Sequence, residues 1–338
     1  MSRKFIVTGG GGFVGSAVIK ELLATDPDCY VVSMARSSYP ELDAMDRVST
    51  VRCDISGPLE PIEEAFSGAH AVFHVAAKAG VWGPEETYFK ANVVASRNVV
   101  VACRKARVPY LVYTSTPSVV FSGKPFRGDN EGLPYGRDWL CSYAESKATA
   151  EKETLGANEP GVLEVCALRP HLIWGPGDPH IVPRLVERAK AGRLKQVGAG
   201  NNRVDISYID NVAKVHVQAL QALEKGIAGG KPYFISQGEP VNLWDWINDL
   251  FQRLGMPPIR QKLPLKAAYK IGGICEWIWS TFKLKGDPPM TRFVATELGK
   301  DHYFDISAAQ RDLGYQATVT TKEGLEKTIA WYNAKQNS

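Results

Sequence analysis

The 338-residue sequence has only six cysteines, at positions 29, 53, 103, 141, 166 and 275, and no two stand as Cys-x-x-Cys. Irregular spacing of this kind gives no disulfide framework and no zinc-finger pattern. It reads as reduced core thiols in a cytoplasmic protein. The six histidines show no His-Glu-x-x-His or other paired spacing, so no metal site is expected, at His171 or His180 or elsewhere. No stretch of 18 apolar residues occurs, which argues against a membrane-spanning helix. Met1-Ser-Arg-Lys4 runs straight into a short apolar strand with no signal-peptide core. A net charge of only +4 does not point to nucleic acid. There is no internal repeat and no low-complexity tract. With 44% apolar and 22% charged residues, the chain has the composition of an ordinary globular protein of one large or two modest domains.

What is present is alternation. Short β-branched runs at 4–8, 30–35, 48–53, 71–75, 110–114 and 163–169 are separated by helix-period segments at 12–24, 85–106 and 142–157. This predicts an α/β fold of Rossmann type, a doubly wound parallel sheet covered by helices on both faces. After Pro170 the pattern changes to short helices at 211–225, 243–254 and 322–336. The expected division is a dinucleotide-binding domain over 1–170 and a smaller, mostly helical substrate-binding region over 171–338. The second is partly interleaved with the sheet, because 205–208 and 232–235 are candidate strands returning to it.

The first strand leads into Gly9-Gly-Gly-Gly12-Phe13-Val14-Gly15 and then a helix. Glycines here permit a tight turn, close approach of backbone N–H groups to a pyrophosphate, and close helix–strand packing. The helix N-terminus adds positive charge. The position of the run, after a strand and opening a helix, supports dinucleotide binding more than the glycines alone. At the end of the second strand, where an acid would bind the ribose 2′-hydroxyl of NAD, the sequence has Ala35-Arg36-Ser37-Ser38. Arg36 and Ser37 suit a 2′-phosphate, so NADP(H) is favoured and NAD(H) remains open. Asp54-Ile55, after the third strand, is placed for the adenine edge.

Tyr143-Ala-Glu-Ser-Lys147 sets a phenol and an ammonium four residues apart on one helix face. A neighbouring cation is expected to favour the phenolate, so that Tyr143 acts as acid/base near neutral pH. Upstream, a strand ends in Ser115-Thr116-Pro-Ser118, whose hydroxyls would emerge at the carboxyl edge of the sheet and polarise a substrate oxygen. Residues 262–284 carry Trp277, Ile278, Trp279 and Phe282 among lysines 262, 266, 270 and 283. Three readings stand: a core-facing helix, a lid over an apolar substrate, or a peripheral membrane contact. Gly272-Gly273 within it reads as a hinge.

These residues resemble the extended short-chain dehydrogenase/reductase superfamily. The resemblance rests on Thr8-Gly9-x-x-Gly12-Phe-Val-Gly15, Asp54-Ile55, Asn92, Tyr143-x-x-Ser-Lys147 and Arg169-Pro170. Within it, Tyr113-Thr-Ser-Thr116, Leu172-Ile-Trp-Gly-Pro-Gly-Asp178 and Ile206-Ser-Tyr-Ile-Asp-Asn-Val212 look like the 3β-hydroxysteroid dehydrogenase/isomerase branch. Ala76-Ala-Lys-Ala-Gly-Val-Trp-Gly83 and Tyr113–Val119 are similar to bacterial reductases of 2-alkyl-3-oxoalkanoates. The resemblance implies reduction of a β-keto acid by NADPH, with Tyr143 as acid/base, Lys147 on the nicotinamide ribose, and Thr116 with Ser115 at the substrate oxygen. It further implies Ala76, Ala77 and Lys78 beside the cofactor, Pro170 behind the nicotinamide, and a homodimer. The alternatives are a 3β-hydroxysteroid dehydrogenase, a nucleotide-sugar epimerase or dehydratase, and a non-catalytic dinucleotide sensor.

Overall fold

Seven short, largely buried apolar strands build the core of the fold. In the computed structural model, which describes residues 2–336, they are β1 (Lys4–Thr8), β2 (Tyr30–Ala35), β3 (Val48–Arg52), β4 (Ala71–His74), β5 (Tyr110–Thr114), β6 (Glu164–Pro170) and β7 (Pro232–Ile235). They form one sheet in the order β7-β6-β5-β4-β1-β2-β3. Every neighbouring pair is parallel. Period-two alternation divides β1 between two cores. Phe5 and Val7 pack on one face with Val18 and Leu22 of α1 (Phe13–Thr25). Ile6 packs on the other with Val99 and Ala102 of α2 (Ala95–Ala106). The chain leaves β1 in one direction for β2 and in the other for β4, so a crevice opens between the carboxyl ends of β1 and β4.

Helix α3 (Ser142–Gly156) lies on the α2 side. The remaining named helices follow Pro170: α4 (Ile181–Lys190), α5 (Ile209–Glu224), α6 (Leu243–Arg253), α7 (Leu265–Thr281), α8 (Arg292–Gly299) and α9 (Thr321–Gln336). The two expected regions interlock in both directions. β7 and α5 come from the second, with α5 packed against α1. Conversely, Phe126–Asp129 from the first joins a small sheet with Arg203–Val204, His302–Phe304 and Val241–Asn242. Of the two strands expected to return to the main sheet, only 232–235 does. The edge of β6 is taken by β7, and Ser207–Tyr208 pairs with Ile173–Trp174 instead.

Gly272-Gly273 is not a break, because α7 runs through it. A Cβ at Gly272 would lie 2.6 Å from the Thr291 backbone, so the glycine lets α7 approach the start of α8. Inward, α7 buries Ala268, Gly272 and Glu276. Outward it exposes Tyr269, Ile271, Ile274 and Trp277, followed by Phe282 and Leu284. The core-facing reading of 262–284 is therefore corrected: the bulky apolar side faces solvent. Among the described residues, no helix is long and apolar enough to cross a membrane.

Candidate active site

The glycine run forms a cradle at the crevice. Gly9 has φ +71°, and a Cβ there would stand 2.8 Å from the Ala76 Cα. A Cβ on Gly15 would fall 2.1 Å from the Gly9 carbonyl oxygen, a contact no side chain survives. Gly12 caps α1 without a side-chain hydrogen bond, and the first turn holds no acid. The positive helix end is thus left uncompensated, which fits a pyrophosphate. Phe13 and Val14 turn away, against the apolar cluster around Trp174 and Tyr208.

At the far end of β2, Arg36 and Ser37 are exposed. Arg52, paired in register with Ala35, donates from Nε to the Arg36 carbonyl at 3.0 Å, so two guanidinium groups sit at this corner. Asp54 is exposed, and the Ser56 hydroxyl (2.7 Å) and backbone N–H (3.0 Å) both donate to its Oδ1. Those bonds hold its carboxyl below the usual range, with a smaller push from Arg36. The Ile55 side chain is buried, and its carbonyl accepts from Asn98 Nδ2 at 3.0 Å. The ring of Tyr39 packs against Gly11. Sequence reading missed Arg52 and Tyr39. The first becomes visible only through the β2–β3 register, and the second only through the fold of the loop.

Past β5, Thr116 and Ser115 are buried at the carboxyl edge. The Ser115 Oγ has no hydrogen-bond partner. Tyr143, half-buried, packs with Cys141, Phe121 and Phe293. Burial pushes its phenol up to about 12, and the Thr116 side chain, within hydrogen-bonding reach, pulls the other way. Lys147 is buried, and its Nζ donates to Tyr113 Oη and to the Thr114 carbonyl, both at 2.7 Å. Burial pushes this ammonium down to about 7 against the attraction of Glu151. The expected lowering of the Tyr143 pKa by Lys147 is absent. Desolvation sets the phenol's pKa, and the Lys147 ammonium is turned toward Tyr113, a partner the sequence reading did not anticipate.

A buried chain of hydrogen bonds fixes these parts. The Ser96 hydroxyl donates to the Asn92 carbonyl at 2.6 Å, so it accepts from His74 Nε2 at 2.9 Å. His74 Nδ1 then accepts from the Thr8 hydroxyl at 2.7 Å. Burial depresses the His74 pKa to about 3, so the ring is neutral. Asn92 lies in a π-helical turn, Phe89–Val94, of the kind found at functional sites. Its Oδ1 accepts from the Lys78 N–H at 2.7 Å, and its Nδ2 donates to Ser146 Oγ at 2.9 Å. Ser146 in turn donates to the Tyr143 carbonyl at 2.9 Å. Asn92 thereby ties the 76–78 loop to α3. Ala76 and Lys78 are half-buried and Ala77 exposed, with Lys78 Nζ donating to Thr87 at 2.5 Å. Pro170, buried, ends β6 opposite Ile235. Arg169 makes a buried ion pair with Glu151, one turn beyond Lys147.

His171, Glu297 and His302 place ligand-type atoms within 4.8 Å of one another. The His171 Nε2···His302 Nδ1 separation is 2.6 Å, and His302 Nε2 lies 2.7 Å from the Glu297 carbonyl. Two imidazole nitrogens on one tetrahedral zinc would stand roughly 3.3 Å apart. The trio is a hydrogen-bonded chain.

A glycine cradle at a sheet's switch point, with a Tyr, a Lys and hydroxyls at its carboxyl edge, defines a dinucleotide-dependent oxidoreductase. Residues 6–265 match the 3-beta hydroxysteroid dehydrogenase/isomerase family, and the chain belongs to it. It is 45% identical over 330 residues to a 2-alkyl-3-oxoalkanoate reductase of Stenotrophomonas maltophilia, covering 97% of this chain and 98% of that one. A protein of the same name from Shewanella oneidensis is 45% identical over 334 residues, covering 96% of this chain and 85% of that one. Among solved structures, MoeE5 in complex with UDP-glucose and NAD superposes with a TM-score of 0.76 at 23% identity, covering 98% of this chain and 99% of that one. At that identity the last likeness concerns the fold.

Proposed function

We propose that the protein reduces the ketone of a long-chain 2-alkyl-3-oxoalkanoate to the β-hydroxy acid, using NADPH. The observation that supports this best is the 45% identity, along nearly the whole chain, to two 2-alkyl-3-oxoalkanoate reductases. In the structure it is joined by the buried, unpartnered Ser115 hydroxyl next to Thr116, whose side chain is within hydrogen-bonding reach of Tyr143. Gly9, Gly12 and Gly15 with the start of α1 would hold the pyrophosphate, and Asp54 and Ile55 would flank the adenine. Arg36, Ser37 and Arg52 would meet the 2′-phosphate. Ala76, Ala77, Lys78 and Pro170 would border the nicotinamide. Residues 1–170 thus serve the dinucleotide and 171–338 the substrate, apart from the β7 and α5 contribution to the sheet. When bound, NADPH supplies the hydride.

The chain's own groups manage the oxygen. Ser115 and Thr116 orient the carbonyl oxygen and favour the charge that develops on it. Tyr143, protonated at neutral pH with its pKa near 12, donates its proton there. Lys147, anchored by Tyr113 and Thr114, holds the ribose and restrains the phenolate left behind. Oxidation of a 3β-hydroxysteroid is the second reading, favoured by the family match itself.

Consumption of NADPH and NADH at 340 nm, with a long-chain β-keto acid, a 3-ketosteroid and a small ketone, separates the readings. Turnover of the β-keto acid should fall at least 100-fold in Tyr143→Phe with cofactor affinity unchanged. Arg36→Ala/Arg52→Ala should erode the preference for NADPH. Turnover of the steroid alone moves the assignment to the sterol branch.

The outward face of α7 suits a lipid surface. It joins exposed Ile271, Ile274, Trp277 and Phe282 to exposed lysines 266, 270, 283 and 285, and each basic residue near an anionic bilayer contributes about 1 kcal/mol. The proposed role is peripheral contact that brings the enzyme to a poorly soluble substrate.

A further inference from the structure

The described residues include a cavity that the reaction chemistry does not use. It has a volume of about 110 Å³, and its walls are Leu172, Ile181 and Leu185 of α4, Trp246 and Ile247 of α6, and Leu298 of α8. It is partly open to solvent, and its exposed lining is apolar; protein interiors are otherwise packed to crystal density. Apolar cavities of roughly this size stay dry and take up small hydrocarbons. Glu297 and His302 line one side. His302 spends both ring nitrogens on the chain from His171 to the Glu297 carbonyl, so it offers a ligand no free donor. Burial raises the Glu297 pKa, which disfavours a charge at that wall.

The cavity lies beside the reacting centre. Phe293 and Val294 of α8 pack in the cluster that holds Tyr143 and Cys141. Leu298 is one turn further along the same helix, about 6 Å. Leu172 is two residues beyond Pro170, and Glu297 is close enough to Cys141 to raise its pKa. Helix α8 thus links the two: Val294 packs in the Tyr143 cluster and Leu298, one turn on, lines the hydrocarbon recess.

We infer that this recess seats one alkyl branch of the substrate and measures its length, with Leu185 and Leu298 as the residues that set the limit. The inference rests on the reductase reading. It predicts a chain-length series with a definite break. With NADPH saturating and one branch lengthened carbon by carbon, kcat/KM of the wild type should climb about fourfold per methylene and then level off once the recess is full.

Leu298→Phe and Leu185→Phe should flatten that climb while turnover of the shortest member stays within about threefold. Leu185→Ala should move the plateau to longer chains. NADPH affinity, read by fluorescence titration, should be unchanged in all three. Folded variants with wild-type NADPH affinity and a wild-type slope and plateau would overturn the inference and leave the reductase reading intact. Should the two phenylalanine variants fail to fold, the plateau of Leu185→Ala decides: an unmoved plateau overturns it. A wild type that binds NADPH and turns over no member of the series ends the reductase reading, and this inference with it.

Discussion

At the scale of single residues, the telling quantity is where the protons sit. Lys147 is buried and its pKa falls from an ordinary 10.5 to about 7, with desolvation as the first cause. Between those two values the unfolded chain still holds a proton that the folded protein has lost. Stability contributed through this residue therefore rises with pH across that window and is lowest below pH 7, where the folded protein must keep the charge buried. Lys147→Met removes the penalty together with the function. Its melting temperature relative to wild type should be more favourable at pH 6.5 than at pH 9.5, with activity lost at both. Equal differences at the two pH values would mean that the ammonium is not buried in this way. The residue types themselves were legible: Tyr143, Lys147 and the 115–116 hydroxyls lie along one edge, as their order in the chain implied. Illegible was the partner of Lys147, because Tyr113 reaches it from β5 and the way α3 packs on that strand is a property of the fold.

At the scale of elements, the strands of the main sheet were readable as short apolar runs, and most of the short strands outside it were not; Ser207–Tyr208 was read as a strand but assigned to the wrong sheet. The sheet joining Phe126–Asp129 to His302–Phe304 brings together segments more than 170 positions apart, with too few residues in each for a period to register. Glycine carried information whose meaning depended on the surroundings. Gly272 looked like a hinge because glycine weakens isolated helices, yet here it marks the closest approach of α7 to α8. Gly272→Ala should cost about 1–3 kcal/mol through overpacking against Thr291. Gly273→Ala, whose Cβ would meet only the flexible Arg292 side chain at 3.6 Å, should be neutral or slightly stabilising. Chemical denaturation of the pair measures the difference, and equal midpoints would contradict the close packing described.

At the scale of the whole molecule, the apolar surface is unevenly placed. Among the described residues, six of the eleven large apolar side chains with substantial exposure fall between Tyr269 and Leu284. Contiguous patches of this kind mark contact sites. Co-sedimentation with vesicles should therefore retain the wild type on bilayers containing anionic lipid and release it from neutral ones. Ile274→Glu/Trp277→Glu should abolish retention while turnover of a soluble short-chain substrate is unchanged. Retention that ignores lipid charge, or survives the double variant, would set the proposal aside. Concentration-dependent self-association lost in that variant would mark the face as a contact between copies instead. The sequence left lid, membrane and core readings open because hydrophobic periodicity reports that a helix has an apolar side, not which way the side faces.

The late arrival of β7 and α5 has a further consequence, for the order in which the molecule is built. Phe5, Val7, Val18 and Leu22 share their core with Val215, Val217 and Leu220 of α5 and with Tyr233 and Phe234 of β7. As the chain leaves the ribosome, the first six strands and α1 emerge well before α5, which shares the covering of one face with α1. The growing sheet therefore waits with an uncovered apolar surface and an open β6 edge until residue 235 is free of the exit tunnel. In this protein the dinucleotide cradle is written at the start of the chain, while the sheet that carries it is completed only at Ile235; a fragment ending at residue 170 should therefore expose apolar surface and bind a hydrophobic dye more strongly than the full chain does.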